Sequence, residues 1–402
     1  MFKFIEEYKQ LPKEIYILSV ATLINRTGDF VVPFLALYLS QKLNLSLPVT
    51  GVIVSISGFI KIPGSYLGGK LNDHFNSKYV FVFSEFVSAL ILTICGFVKK
   101  PEIAVPLLIL FSFTTSMVKP PTTAMISDLL PPHQRKLGYI VRYIGINIGV
   151  AIGLSIAGFL YNYNTTIMFL GDAITMFLGV ILVFFGIKVS NLKDKRASTI
   201  GKNEVAEIGN IISILKKRIP LFLYMIFCSI MLIVFEQTKF ALPLTMNERF
   251  HTDGPVLFGF LISTNAITAT VLALFHNKLF SKVSHLTQII IGGILFSLGF
   301  GCYAFTTSYQ SFVLATILWS IGEVFIFTNS TVFIVNNAPE NFRGRLSSVF
   351  SIILTTIGTL GIILTERSIE IVGIYNSWIV LSVITLTSAA VLIGLKIKYF
   401  NN

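Results

Sequence analysis

The sequence predicts an all-α, polytopic membrane protein, and three observations lead to that prediction. Of its 402 residues, 54% are hydrophobic and only 12% are charged, whereas soluble domains carry roughly 25% charged residues. Continuous apolar runs long enough to cross a bilayer recur along the chain, and lysine and arginine concentrate between alternate runs. The composition therefore excludes a soluble enzyme, a disordered protein and a nucleic-acid-binding module.

Twelve apolar runs reach the ~20 residues that a helix needs to cross the hydrocarbon core. We number them spans 1 to 12, and they cover 15–40, 48–71, 79–98, 103–127, 138–160, 166–188, 220–246, 255–276, 287–306, 311–336, 345–367 and 374–397. A β-barrel would instead show alternating segments of ~10 residues. The polar start of the chain has no cleavage pattern, so no removable signal peptide is expected.

The placement of lysine and arginine predicts the orientation in the cell membrane. Twenty-one of the 31 lie in one set of loops and termini, five lie in the opposite set, and five lie within spans. Under the positive-inside rule, this bias puts both termini in the cytoplasm. It also accounts for the net charge of +12, so no nucleic-acid partner is expected.

One long polar interruption, 189–219, divides the chain into two predicted six-helix bundles, 1–188 and 220–402. Its first part is charged and indicates a flexible cytoplasmic linker. Its second part spaces apolar residues as on one helix face, which predicts either an interfacial helix on the membrane surface or a plain connector helix.

The two halves repeat one another. A shift of 210 residues superposes Arg26, Asp29 and Pro33 of span 1 on Glu236, Lys239 and Pro243 of span 7. A shift of 208 residues superposes Pro131, Arg135 and Gly153 on Pro339, Arg343 and Gly361. Matches in span order across both halves indicate a duplicated six-helix unit, which is one layout of secondary transporters.

Ten charged residues lie within the spans, five acidic and five basic: Arg26, Asp29, Lys61, Glu85, Lys119, Arg142, Asp172, Glu236, Lys239 and Glu323. Because each costs roughly 2.5–3.5 kcal/mol to insert at a span centre, such residues mark functional sites. Arg26 and Asp29 share a helix face, and Glu236 and Lys239 repeat that spacing with the signs reversed. We predict that both pairs form a polar centre in which an acid exchanges a proton, although two structural intrahelical ion pairs would give the same pattern. Glu85 and Asp172 are expected to be structural.

The loop after span 2 reads Gly69-Lys70-Leu71-Asn72-Asp73-His74-Phe75-Asn76-Ser77-Lys78. It resembles the signature loop of the major facilitator superfamily, with His74 and Asn76 replacing the usual arginine and glycine. The resemblance implies two six-helix pseudo-repeats around a central cavity, working by alternating access. It also implies a cytoplasmic gate that includes Gly69, Asp73 and Lys78, with Arg135 as the candidate partner of Asp73 and Arg343 as the counterpart of Arg135 in the repeat.

A more specific likeness is carried by Val118-Lys119-Pro120-Pro121 in span 4, Tyr143-Ile144-Gly145-Ile146-Asn147 in span 5, Phe235-Glu236-Gln237 in span 7 and Gly322-Glu323 in span 10. These segments resemble the proton-coupled oligopeptide transporter branch. The resemblance implies that Arg26, Lys119, Glu236 and Glu323 handle peptide termini and the proton. The branch has an acid where this chain has Asn25, and many of its bacterial members have two extra helices that this chain lacks.

The compact twelve-span form is closer to the drug:proton antiporters. Their helix-5 motif is matched only in part by Gly149, Gly153 and Gly158, and close helix packing is the alternative explanation of Gly145, Gly149 and Gly153. Pro120 and Pro121 predict a bend or break in span 4, acting as a hinge or as a static kink.

Other classes lack support in the sequence. The three cysteines stand singly, the five histidines lie at loops or span ends, and no nucleotide-binding or hydrolase motif occurs. We therefore expect no enzyme, no metal and no cofactor, with a proton gradient as energy source and the monomer as working unit. The prediction is a proton-coupled secondary active transporter of a small organic, zwitterionic or peptide-like solute. The alternative is a multidrug/proton antiporter exporting amphipathic or cationic compounds.

Overall fold

A computed structural model describes residues 11–131, 134–188, 215, 218–338 and 343–400. All regular structure in these ranges is helical. The α-helices are Lys13–Thr27, Leu35–Leu37, Leu47–Phe59, Lys61–His74, Ser77–Phe97, Pro101–Ser116, Lys119–Leu129, Arg135–Tyr163, Thr165–Gly186, Ile219–Met231, Ile233–Glu236, Ala241–Phe250, Gly254–Phe280, His285–Cys302, Tyr309–Asn337, Arg343–Val372 and Ile374–Tyr399. The predicted all-α membrane fold is confirmed.

Eleven helical stretches of the described chain are long and apolar enough to cross a membrane. Span 1 is the predicted span that is absent from this set, because its helix stops at Thr27 and resumes only at Leu35, followed by a π-helical turn over Tyr38–Lys42. A span built from such short pieces still crosses the bilayer if its free backbone groups find partners inside the protein.

Span 7 is interrupted at the matching place in the repeat. Helix Ile219–Met231 is followed by the short helix Ile233–Glu236, the 3₁₀ turn Gln237–Lys239 and helix Ala241–Phe250. The charged pair of each repeat therefore lies beside a helix break. The chain reverses into span 8 through the 3₁₀ turn His251–Asp253, where a side chain on Gly254 would come within 2.5 Å of the Asn247 backbone.

Span 4 breaks where the two prolines predict it. Helix Pro101–Ser116 ends at a turn, and helix Lys119–Leu129 begins with Pro120 and Pro121 in its first turn. Proline is tolerated there because the first N–H groups of a helix have no acceptor within the helix. The predicted bend or break is thus present.

Contacts between Cα atoms group the chain into two compact units. The first contains the described residues of Met1–Phe34 and Ile56–Lys202, and the second contains those of Leu35–Ser55 and Asn203–Asn402. The outer part of span 1 and the start of span 2 thus group with the second unit. The predicted linker 189–219 lies outside the described residues except for Leu215, Arg218 and Ile219, so its helix remains a prediction.

Glycines of span 5 allow very close packing on span 1 inside the first unit. A Cβ atom on Gly149 would lie 2.6 Å from the Leu23 carbonyl oxygen, and one on Gly153 would lie 2.5 Å from that of Thr27. Contacts this short leave no room for a methyl group. Gly149 and Gly153 of the partial antiporter motif therefore allow the close packing of spans 1 and 5.

Candidate functional site

The first unit holds an ion pair at the break in span 1. The Nη1 atom of Arg26 lies 2.7 Å from the Oδ2 atom of Asp29, one helical turn further along. Their side chains remain 42% and 25% exposed. An ion pair with this much exposure contributes only about 0.2–1 kcal/mol, so a competing charged group can displace either partner at small cost.

Glu85 of span 3 is the most buried of the carboxylates that the structure describes in this unit, at 1% exposure. The side-chain amide of Asn25 donates a hydrogen bond to its Oε1 atom. Within the described residues no lysine or arginine lies at ion-pair distance from Glu85, although Arg26 attracts it and Asp29 repels it from further away. Glu85 is thus a buried carboxyl group with a neutral hydrogen-bond partner.

Asp172 of span 6 is 3% exposed and lies against the opened backbone of span 1. Its Oδ2 atom accepts hydrogen bonds from the backbone N–H groups of Phe30 at 3.3 Å and Val31 at 3.2 Å. These donors would have had helical acceptors if span 1 were continuous. Asp172 therefore provides the acceptor for backbone N–H groups that the break in span 1 leaves without helical partners. This is the kind of contact that a structural role of Asp172 predicts.

Span 5 brings a second arginine towards this group of charges. Arg142 is repelled by Arg26, and its buried Nε atom has no hydrogen-bond acceptor among the described residues. Asp29, Glu85, Asp172, Arg26 and Arg142 therefore all belong to the first unit. No three or more His, Cys, Asp or Glu side chains of the described chain form a group that could hold a metal ion.

The second unit repeats the ion pair with its signs reversed. The Nζ atom of Lys239 lies 2.7 Å from the Oε2 atom of Glu236, and the side chains are 43% and 32% exposed. The geometry matches that of Arg26 and Asp29 in spacing, distance and exposure. Both intrahelical pairs that the sequence allowed are formed.

Glu323 of span 10 has a neutral partner, as Glu85 has. The amide nitrogen of Asn265 in span 8 donates to the Oε2 atom of Glu323 at 2.5 Å and to the hydroxyl of Ser320 at 3.0 Å. Each unit thus contains one half-exposed ion pair and one acid held by an asparagine amide.

The predicted gate residues Asp73 and Arg135 have separate surroundings in this structure. Asp73 is exposed at the end of span 2, and Arg135 donates instead to the backbone carbonyls of Leu130 at 3.3 Å and Ser127 at 3.1 Å. The predicted Asp73–Arg135 pair is therefore not formed among the described residues.

The remaining predicted residues occupy separate places. Lys78 is buried with its Nζ atom 5.1 Å from the centre of the Phe184 ring, and Pro120 lies 4.0 Å from the position of a Cβ atom on Gly69. Lys119 is exposed at the start of its helix. Arg343 begins the span 11 helix, and its side chain falls outside the described residues.

The sequence did not identify Asn25 as the partner of Glu85 or Asn265 as the partner of Glu323. An asparagine beside an arginine or within an apolar run carries no periodic signal, so its partner is visible only in three dimensions. One available signal was that Asn25 directly precedes Arg26, at the position where the peptide transporter branch has an acid.

A duplicated bundle of membrane helices with charged pairs at its helix breaks defines a polytopic transport protein. A family model described as Major Facilitator Superfamily matches residues 18–395. This match covers nearly the whole chain, and the protein belongs to that superfamily.

The sequence identity to individual relatives is low. A Na(+), Li(+), K(+)/H(+) antiporter of Planococcus maritimus is 23% identical over 355 residues, covering 82% of this chain and 83% of the relative. The multi-drug resistance efflux pump PmrA of Streptococcus pneumoniae serotype 4 is 30% identical over 142 residues, covering 34% of this chain and 35% of that pump. The crystal structure of a POT family transporter in complex with 5-aminolevulinic acid aligns with a TM-score of 0.79 at 18% identity, covering 96% of each chain. That likeness shows a shared fold.

Proposed function

We propose that this protein is a proton-coupled secondary active transporter of a small organic solute. The observation that carries the proposal is the environment of Glu85, which is 1% exposed and bonded to a neutral amide. An ionised carboxylate away from water needs a cation or a proton to offset its lost hydration. Without a cation at ion-pair distance, Glu85 holds a proton, and its ionised form requires a change in its surroundings.

In the proposed coupling scheme, the buried acids and the ion pairs at the helix breaks have different functions. Glu85 in the first unit and Glu323 in the second exchange protons, because each has an asparagine amide as partner. The ion pairs at the helix breaks receive the charged groups of the solute, because they are half-exposed and weakly held.

The solute is a zwitterionic or peptide-like compound. Each ion pair offers one acid and one base, and exposed Lys119 supplies a further cation. A zwitterion needs a cation for its carboxylate and an anion for its ammonium group. The fold shared with a POT family transporter supports this solute class.

A second candidate function is antiport with export of cationic or amphipathic compounds. Sequence similarity favours it, since one relative is a cation/H(+) antiporter and another is a multi-drug efflux pump.

Coupling is tested with purified protein in liposomes that contain a pH-sensitive dye. A transported solute on one side should drive proton movement through the wild type, and Glu85→Gln should abolish that movement because glutamine cannot lose a proton. Glu102→Gln is the matched control, because Glu102 is exposed at the start of span 4. Full coupling in Glu85→Gln would show that Glu85 is not the proton carrier.

The solute class is tested by a thermal-shift screen against amino acids, di- and tripeptides, cationic dyes and alkali-metal salts. A peptide that stabilises the wild type, but not Lys119→Gln or Glu236→Gln, supports the peptide-like solute. Stabilisation by cationic dyes alone supports the exporter. Binding of neither class contradicts both assignments of the solute.

A further inference from the structure

A cavity of about 470 Å³ lies in the second unit, where span 8 connects to span 9. Its polar lining comes from His276, Lys282, Ser284, His285, Gln288 and Asn329. This volume is within the range of sites that hold small molecules, about 300–1,000 Å³. None of the residues of the two charged pairs lines this cavity, and neither does Glu323, which belongs to the same helix as Asn329.

Hydrogen bonds fix the polar wall of this cavity. The Nδ1 atom of His285 lies 2.6 Å from the Oδ1 atom of Asn329, whose amide nitrogen donates to the Oε1 atom of Gln288 at 2.9 Å. Gln288 in turn donates to the backbone carbonyl of Val283 at 2.7 Å. Since the Oδ1 atom of Asn329 can only accept, the Nδ1 atom of His285 carries the hydrogen.

The charges around the cavity are positive. Lys282 contributes an ammonium group, and His276 adds an imidazole ring that can donate an N–H hydrogen bond. None of the lining residues, all within the described chain, has a carboxyl group. Lys396 adds a cation nearby, since it donates to the hydroxyl of Thr287 at 2.7 Å.

The cavity also lies at the start of the long helix His285–Cys302, for which Ser284 is the N-cap. The first N–H groups of a helix point towards its N-terminal end and favour an anion there. His276 closes the other side, at 3% exposure and with Phe280 and Phe325 packed against its ring. A buried histidine, a lysine and a helix N-terminus thus converge on one space.

We propose that this cavity binds a phosphate-bearing anion, on the membrane side predicted to be cytoplasmic. Phosphate oxygens are strong acceptors that match the ammonium, imidazole and backbone donors around the cavity. A lipid headgroup and a soluble phosphorylated compound share this chemistry. The proposal is independent of the proton-coupled function, because it involves none of the residues assigned to it.

The test uses the purified full chain with two probes. Inorganic phosphate is titrated into detergent-solubilised protein, and unfolding midpoints are compared in nanodiscs of phosphatidylglycerol and of phosphatidylcholine. The double variant Lys282→Gln/His285→Gln should weaken binding of the effective probe roughly tenfold or more, because it removes an ammonium group and an imidazole ring from the lining. Lys70→Gln is the matched control, as it removes an exposed cation from the helix Lys61–His74 in the first unit.

Stabilisation by inorganic phosphate supports a soluble ligand, and stabilisation by phosphatidylglycerol alone supports a lipid. Either effect must be lost in the double variant and kept in Lys70→Gln. A wild type that responds to neither probe, or a control that loses the response equally, overturns the proposal. If the double variant unfolds without any probe, Lys282→Gln alone is measured in its place, with the same outcomes.

Discussion

Apart from Asp172, which accepts from backbone N–H groups, the acids inside the spans fall into two kinds according to their partners. Asp29 and Glu236 each pair with a base one turn away, whereas Glu85 and Glu323 accept hydrogen bonds from asparagine amides. An acid with a cationic partner is stable when ionised, and a buried acid with a neutral partner is stable when protonated. The type of partner therefore distinguishes the acids proposed to contact the solute from the acids proposed to carry a proton.

Asp172 should tolerate the loss of its charge but not the loss of its oxygen atoms. Asp172→Asn keeps an acceptor for the backbone of Phe30 and Val31, so unfolding and coupling should stay close to the wild type. Asp172→Ala leaves the Val31 N–H group without that acceptor, while Phe30 still donates to the Gly28 carbonyl. We expect a loss of roughly 1–3 kcal/mol in the free energy of unfolding, measured by denaturant titration. Loss of proton coupling in Asp172→Asn would instead make Asp172 a proton carrier.

A double-mutant cycle on Arg26 and Asp29 separates a structural ion pair from a solute site. Arg26→Gln, Asp29→Asn and the double variant should give a coupling energy of about 0.2–1 kcal/mol in unfolding, because the pair is half-exposed. Under the proposed function, all three variants lose solute binding in the thermal-shift assay. If the double variant binds solute as the wild type does, the pair is only structural.

At the scale of single helices, the breaks are the features that position the charges. Spans 1 and 7 open directly beside their charged pairs, and span 4 opens just before Lys119. A break inside a membrane exposes backbone groups that need partners within the protein. In span 1, the side chain of Asp172 accepts hydrogen bonds from two of these backbone N–H groups. Continuous apolar helices would offer the solute fewer polar groups.

The close packing of spans 1 and 5 should depend on the absence of a single methyl group. Gly149→Ala places a Cβ atom 2.6 Å from the Leu23 carbonyl oxygen, so the two helices must separate. We expect a loss of about 1–3 kcal/mol in the free energy of unfolding, together with a lower transport rate. Gly394→Ala is the control, because a Cβ atom there meets nothing within 4 Å. Equal stability of the two variants would contradict the packing role of Gly149.

At the scale of the whole molecule, the sequence repeat governs where the charged pairs occur. Each unit contains one broken span with an oppositely charged pair and one acid bonded to an asparagine. The pairs follow the sequence repeat, because they occupy matching positions of spans 1 and 7. The acid–asparagine contacts do not, because Glu85 belongs to span 3 and Glu323 to span 10 of the chain.

The predicted orientation can be measured by thiol labelling in intact cells. In a chain whose cysteines are replaced by alanine, Tyr163→Cys should react with an impermeant maleimide added outside. Phe75→Cys should react only after permeabilisation, because it lies in the lysine- and arginine-rich loop set. Both positions are exposed, at 81% and 59%. The reverse labelling pattern would place the termini outside the cytoplasm.

The sequence by itself determined the membrane class, the helical spans, the break in span 4 and the charged pairs of spans 1 and 7. These features are local, because hydrophobic length, proline chemistry and the i, i+3 spacing act within a single helix. Only the tertiary structure decided that Glu85 accepts from Asn25, that Asp172 satisfies the opened span 1, and that Arg135 bonds backbone carbonyls instead of Asp73. Each of these contacts is set by how helices pack, and a buried acid has no preference for a partner until packing chooses one.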